Sequence, residues 1–378
     1  MELTFEQSIK AYLTEKYGSD VAANLMQQSL LLQYIVYKTK SADKGSKARG
    51  SFANLYAIYV IVEDYLAKQF AIKGGYAKYE GAQFSLLFKR QRELPFGAKL
   101  QNHALNSRMN EEFGKCFPTH KNMPPILRDL KKQRYWFNEN YLKIRIDTET
   151  YNIAEDIIHI IDMYVCRKQD AFKRFIKQCE DLSAVEENDS ANIQEFVHGL
   201  LAPNVDARLF EIVSYAILKF YYRDTVIYWG YSPDALQEDY LKLYKTGRTN
   251  ANDGGIDFVM KPLGRFFQVT ETLDFRKYFL DIEKIERFPL SFVVKTEDDE
   301  KGIREKLEND AISTYIIEDV VNTYLSCIEE IINIPKLKTY LEELEKKSLL
   351  NDVLSEIITQ SKIEFNYNDE DEDEDEDE

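Results

Sequence analysis

No apolar run in this chain approaches the ~20 residues a membrane-spanning helix needs. The first ten residues carry Glu2 and Glu6 where a secretory signal would show a basic patch followed by an apolar stretch. A soluble, cytoplasmic protein with no membrane partner is therefore expected. Cysteine is scarce: Cys116, Cys166, Cys179 and Cys327 lie far apart and never as a CxxC pair. That spacing argues against a zinc site and a disulfide framework, and leaves buried free thiols as the expectation. His103, His120, His159 and His198 share no spacing, so a histidine metal site or a nucleophile–histidine pair has no support. A glycine-rich phosphate loop is also missing, which argues against an ATP-driven activity within this chain.

What is present is an apolar fraction of 44% with 13% aromatic residues, the composition of a globular protein. Its length of 378 residues suffices for one large core or for two to three ordinary ones. Tyr is unusually frequent, and a ring with a polar handle suits core edges and surfaces that meet partners. The net charge of −16 is concentrated: the ten residues Asp369 to Glu378 are all acidic, and without them the chain carries −16 + 10 = −6. Overall acidity thus does not exclude a nucleic-acid partner.

Residues 1–70 read as helices, with Ile9, Leu13 and Tyr17 at helical spacing and Phe52 to Phe70 resuming the pattern. Ile153 to Phe175 reads as another helix, followed by a polar, acidic segment from Glu180 to Asn192. A soft domain boundary is expected within 183–200. Phe210 to Tyr222 reads as a helix, Val226 to Trp229 and Phe292 to Lys295 as short strands. From Lys301 onward the chain reads as helical, with Ile312, Ile316, Val320, Tyr324 and Ile328 on one face, and Pro335 opens a further helix.

The chemically informative stretch runs from Asn252 to Glu271. Ile256 to Met260 and Arg265 to Thr270 are two β-prone runs, joined by Lys261-Pro262-Leu263-Gly264, which places Pro and Gly where a four-residue turn favours them. A plain turn pairs residues whose numbers sum to 525, so Asp257 faces Gln268. Directly opposed residues place their Cβ atoms about 4.5–5.5 Å apart. A carboxylate and a carboxamide oxygen at that separation can share a hard cation such as Mg²⁺. A bulge in the loop would shift the register by one and spoil the pairing. An ordinary surface hairpin whose Asp and Gln face water is the competing interpretation.

The order helix with Phe210-Glu211, strand, Gly255-Ile256-Asp257, turn, strand with Gln268-Val269-Thr270, helix resembles the nuclease core of restriction endonucleases, the PD-(D/E)XK superfamily. The resemblance is closer to its Mrr-like branch, where Gln often replaces the second acid, and covers roughly residues 205–297. It implies an α+β or α/β fold: a mostly helical DNA-recognition region over 1–200, a restriction-endonuclease-like core of a small mixed sheet flanked by helices over 201–365, and an acidic tail over 366–378. It also implies that Asp257 and Gln268, with the Val269 carbonyl, hold Mg²⁺, and that Glu211 binds the metal or orients a water. The family places Lys two residues after the Gln; this chain has Thr270, whose hydroxyl bonds water or phosphate but supplies no charge. Lys277, on the following helix, is the preferred replacement, with Lys261 as the other candidate.

Two polar, basic segments supply candidate DNA contacts: Lys44, Lys47 and Arg49 in the first, and Lys89, Arg90, Gln91, Arg92, Lys99, Gln101, Asn102 and Arg108 in the second. The resulting expectation is a type II restriction endonuclease acting as a homodimer on double-stranded DNA, with a cognate DNA methyltransferase encoded nearby. A modification-dependent nuclease and a non-cleaving DNA-binding protein on a degenerate nuclease fold remain open beside it.

Overall fold

The computed structural model describes residues 3–40, 48–98, 100–184, 190–246, 256–315 and 317–365, without the side chains of 48–50 and 365. The chain divides into two units, Met1–Arg174 and Phe175–Glu378. The sequence placed the boundary later, within 183–200. The reason is packing: Cys179, Ile193, Val197 and Leu200, which flank the acidic segment, all enter the core of the second unit. No helix of the described residues is long and apolar enough to cross a membrane.

The first unit opens with α1 (Phe5–Tyr17), α2 (Ser19–Gln28), α3 (Leu30–Thr39), α4 (Ala48–Ala67) and the short α5 (Phe70–Lys73). Thr4 and Gln7 form a reciprocal capping box that fixes the start of α1, and Ile9 and Leu13 are buried as their spacing predicts. Then follow β1 (Ala82–Gln83), α6 (Phe84–Glu93), α7 (Met109–Cys116), β2 (Ile126–Asp129), β3 (Arg134–Phe137), β4 (Lys143–Ile146), β5 (Glu149–Asn152) and α8 (Ala154–Ala184), which runs on into the second unit. The N-terminal region is mainly helical, with these five short strands set among the helices. β1, β3 and β2 form one antiparallel sheet in that order, and β4 and β5 pair as a hairpin. Tyrosine is largely a core residue here: Tyr34, Tyr56, Tyr65 and Tyr164 are fully buried. Two more, Tyr12 and Tyr17, donate their hydroxyls to the buried Asp156 carboxylate, which also receives Lys16 at 2.7 Å.

The second unit contains α9 (Ser190–Leu200), α10 (Ala207–Tyr222), β6 (Val226–Trp229), β7 (Gln237–Tyr240), β8 (Lys242–Lys245), β9 (Phe258–Lys261), β10 (Arg265–Thr270), α11 (Phe275–Lys284), β11 (Leu290–Val294), α12 (Glu300–Thr314), α13 (Glu318–Ser326), β12 (Ile328–Ile332), α14 (Ile334–Lys346) and α15 (Leu350–Phe365). Its main sheet has the order β12-β11-β10-β9-β8. β8, β9 and β10 form an antiparallel meander, and β11 and β12 add on in parallel. Both faces are covered. Leu243, Phe258, Phe267, Val293 and Ile332 share a core with α10, α14 and α15. The alternate residues Leu290, Phe292, Val294 and Ile331 share another with α11, α12 and α13. The unit is therefore a helix–sheet–helix sandwich, and the chain as a whole is mixed α and β.

The expected helical face of Ile312, Ile316, Val320, Tyr324 and Ile328 is corrected. α12 ends at Thr314 and α13 at Ser326, and Ile328 begins the edge strand β12. Ile303, Leu307 and Ala311 are the buried face of α12, while Ile312 is exposed. A run of apolar residues at helical spacing cannot reveal that its last member is claimed by a sheet. Asn333 caps α14 and Pro335 sits in its first turn, where its missing N–H is harmless.

Candidate functional site

The hairpin has the register the turn arithmetic requires. Met260 pairs with Arg265, Val259 with Phe266 and Phe258 with Phe267, each pair summing to 525. The ladder stops there, and Asp257 lies one residue beyond it, half-buried. Its backbone N–H donates to the Phe267 carbonyl at 2.9 Å, and its carbonyl accepts from Thr246 at 3.0 Å. Its carboxylate accepts from the Val269 N–H at 2.7 Å. Asp257 is thereby held between β8 and β10, against the residue that follows Gln268.

Gln268 does not face water. It is 7% exposed because α11 and its neighbours cover that face of the sheet. Its Nε2 donates to the Val269 carbonyl at 3.2 Å, while its buried Oε1 has no hydrogen-bond partner among the described residues. Interpretation of the pair as a water-facing surface hairpin is excluded for Gln268. Thr270 is buried as well, and its hydroxyl accepts from Thr272 N–H.

Strand directions place these groups at one margin of the sheet, where β8, β10 and β11 end and β9 begins. Glu211 arrives from α10, buried, with its carboxylate 3.0 Å from Lys245 Nζ at the end of β8. Lys295, just past β11, reaches Glu271 at 2.6 Å, the Val205 carbonyl and the ring face of Phe210.

The two lysines expected to replace the motif cation are placed elsewhere. Lys261 is at the turn, the far end of β9 from Asp257, over the Tyr244 ring. Lys277, in the first turn of α11, is ion-paired along its own helix with the fully buried Asp281, which also holds Lys284. Reading by sequence missed Lys245 and Lys295, and it missed β8 altogether, taking β6 as the first core strand. β6 instead pairs with β7 in a separate hairpin. The alternation of buried Leu241 and Leu243 with exposed Lys242 and Tyr244 was the available signal.

With this geometry in view, the chain was compared with models of known protein families, with curated proteins and with solved structures. It matches none of them.

Among the described residues no three His, Cys, Asp or Glu side chains converge to hold a metal. The pair Asp257 and Gln268 nonetheless fits Mg²⁺ in kind. Both offer hard oxygens, one of them a buried acceptor to which the fold brings no proton, and Mg²⁺ commonly takes only one or two protein oxygens. Glu211 fits less well, since Lys245 already engages its carboxylate.

The DNA-contact candidates separate on burial. Gln91 is fully buried with its amide on the Ala53 carbonyl, so it is not placed to reach a base edge. Arg90 grips Glu63 with three hydrogen bonds, Arg108 pairs with Glu112, and Arg92 donates to the Ala98 carbonyl. Lys89 and Gln101 are exposed and Asn102 half-buried. Lys44, Lys47, Lys99, the side chain of Arg49, residues 247–255 and the acidic tail lie outside the described residues.

Proposed function

We propose that this protein is a Mg²⁺-dependent endonuclease of the restriction type, hydrolysing phosphodiester bonds of double-stranded DNA at the margin formed by Asp257 and Gln268. The observation that carries the proposal is the Gln268 oxygen, buried and without a proton donor among the described residues, on the strand beside Asp257. A helix, then, after the separate β6–β7 hairpin, a three-stranded meander, a second helix and a parallel strand surround it. This order supports kinship with the PD-(D/E)XK core and its Mrr-like branch. Asp257 and Gln268 would hold the metal, which when bound supplies Lewis-acid polarisation of the phosphate and a nucleophile at neutral pH. Asp257 is fixed for this by the Val269 amide, and Gln268 by burial on both sides. Exposed ion pairs such as Lys89–Glu93 are worth only ~0–1 kcal/mol, so phosphates can compete for these cations. A homodimer, with a cognate methyltransferase protecting the host's own sites, belongs to the same proposal.

Purified protein incubated with phage DNA and Mg²⁺ should give discrete fragments, and Asp257→Ala should lose cleavage while still binding duplex. Intact DNA across several substrates, methylated ones included, would refute the proposal. Non-cleaving DNA binding on a degenerate core is the second reading, favoured by Thr270, which is buried and carries no charge. Tight duplex binding without Mg²⁺ and without cleavage would establish it.

A further inference from the structure

The hairpin of β6 and β7 is built unlike the rest of the second unit. Of its strand residues only Ile227 and Asp239 are half-buried, and the others are exposed. Val226 is 42% exposed and Tyr228 66%, with Trp229 and Tyr240 open as well. A two-stranded hairpin is marginal by itself in water, and three or more strands with an apolar face are needed for independent stability.

An open strand edge offers its N–H and C=O groups to any passing strand, and folded proteins guard such edges with charge. Among the described residues, β6 pairs with β7 alone. Every other described edge strand of four or more residues (β2, β4, β5, β7, β8 and β12) carries at least one charged side chain. β6, with the sequence Val-Ile-Tyr-Trp, carries none. The Thr225 carbonyl accepts from the Leu241 N–H at 3.1 Å, and bonding direction alternates along an antiparallel strand. Ile227 and Trp229 therefore bond toward β7, while Val226 and Tyr228 turn their backbone groups to the open side.

The distribution of charge names the occupant. The acids of this ladder, Glu238 and Asp239, are both on β7. A second copy that meets β6 with its own β6 brings two uncharged strands together and leaves the acidic strands outermost. Those then stand three strand spacings apart, about 14 Å, beyond the ~8 Å Debye length at physiological ionic strength. Contact through β7 would instead crowd like charges across the new ladder. The register that uses both outward residues is centred on Ile227. It sets Val226 opposite the partner subunit's Tyr228, a β-branched and aromatic pair of the kind that stabilises sheets.

We propose that β6 pairs antiparallel with β6 of a second copy, making one four-stranded sheet across a two-fold axis. This pairing gives the homodimer proposed above its interface, and it stands on the hairpin alone, whether or not the protein cuts DNA. Sedimentation velocity of the full chain over a range of concentrations should show a monomer–dimer equilibrium. Tyr228→Lys keeps the hairpin, because the new ammonium faces Glu238 across the β6–β7 ladder, but it sets a charge against the partner subunit's Val226. Dimerisation should weaken on the order of tenfold or more. Adding Val226→Glu supplies each such ammonium with a carboxylate from the other copy and should restore the dimer. A wild type that stays monomeric, or that forms open-ended oligomers, overturns the proposal. So does a Tyr228→Lys variant that dimerises as well as the wild type, or a double variant that remains monomeric. A monomeric wild type that cuts DNA leaves the nuclease standing, and a dimer that never cuts leaves the pairing standing.

Discussion

A buried acceptor without a proton costs a fold ~1–3 kcal/mol, and Gln268 carries one in the middle of a sheet. Such a residue is retained for what it binds when its removal improves the fold. Gln268→Leu is therefore expected to raise the melting temperature and to abolish Mg²⁺-dependent cleavage, a trade-off between stability and activity. A variant that is both less stable and fully active would contradict the assignment. Tyr278 provides the contrast. Its hydroxyl is also buried without a hydrogen-bond partner among the described residues, on α11 against the Phe292 ring. Tyr278→Phe should raise stability by ~1 kcal/mol in urea denaturation and leave cleavage intact. Sequence alone named Asp257 and Gln268 from turn arithmetic, which holds from Met260–Arg265 to Phe258–Phe267; at Asp257 the ladder has ended and its N–H bonds the Phe267 carbonyl instead. It could not name Lys245, whose partner Glu211 is thirty-four positions away and meets it only through packing.

The elements are locked by a second polar cluster, at the other end of the strands. Arg265 at the start of β10 meets Glu330 of β12, which Lys336 of α14 also reaches at 2.7 Å. Burial raises the Glu330 pKa, but the Lys336 hydrogen bond and the Arg265 charge outweigh it and hold the carboxyl below its usual range. A depressed folded pKa gives stability that is present above the ordinary value near 4.5 and lost as pH falls through the folded value. Glu330→Gln should thus cost ~1–3 kcal/mol at pH 7. Its difference from the wild type should shrink toward zero as the pH is lowered through that range. Equal differences at pH 7 and pH 3, from urea midpoints, would rule out the pairing as the cause. β12 and β8, the two edge strands, were the elements hardest to read. One ends an apolar run that continues a helical period, and the other is four residues long.

For the whole molecule, two units that each have their own core residues imply a division of labour. The first unit carries exposed cations on and beside α6, and the second carries the candidate site. Lys89→Glu/Arg92→Glu should weaken duplex binding for every sequence and reduce the salt slope by about two. Folding of the second unit should be unaffected. If binding is unchanged, the DNA-contact role of α6 falls, whatever the site does.

What the sequence by itself determined is local: the helices with clear periodicity, and the hairpin with its register from Phe258 to Met260. Each depends on neighbours a few positions apart, where backbone geometry leaves few choices. Only the tertiary structure decided that the sheet is covered on both faces, so that Gln268 is buried. It also decided that the division of the chain falls inside α8, and that Glu211 is met by Lys245 rather than standing open. Those outcomes depend on which distant surfaces exclude water together, and no local pattern encodes that.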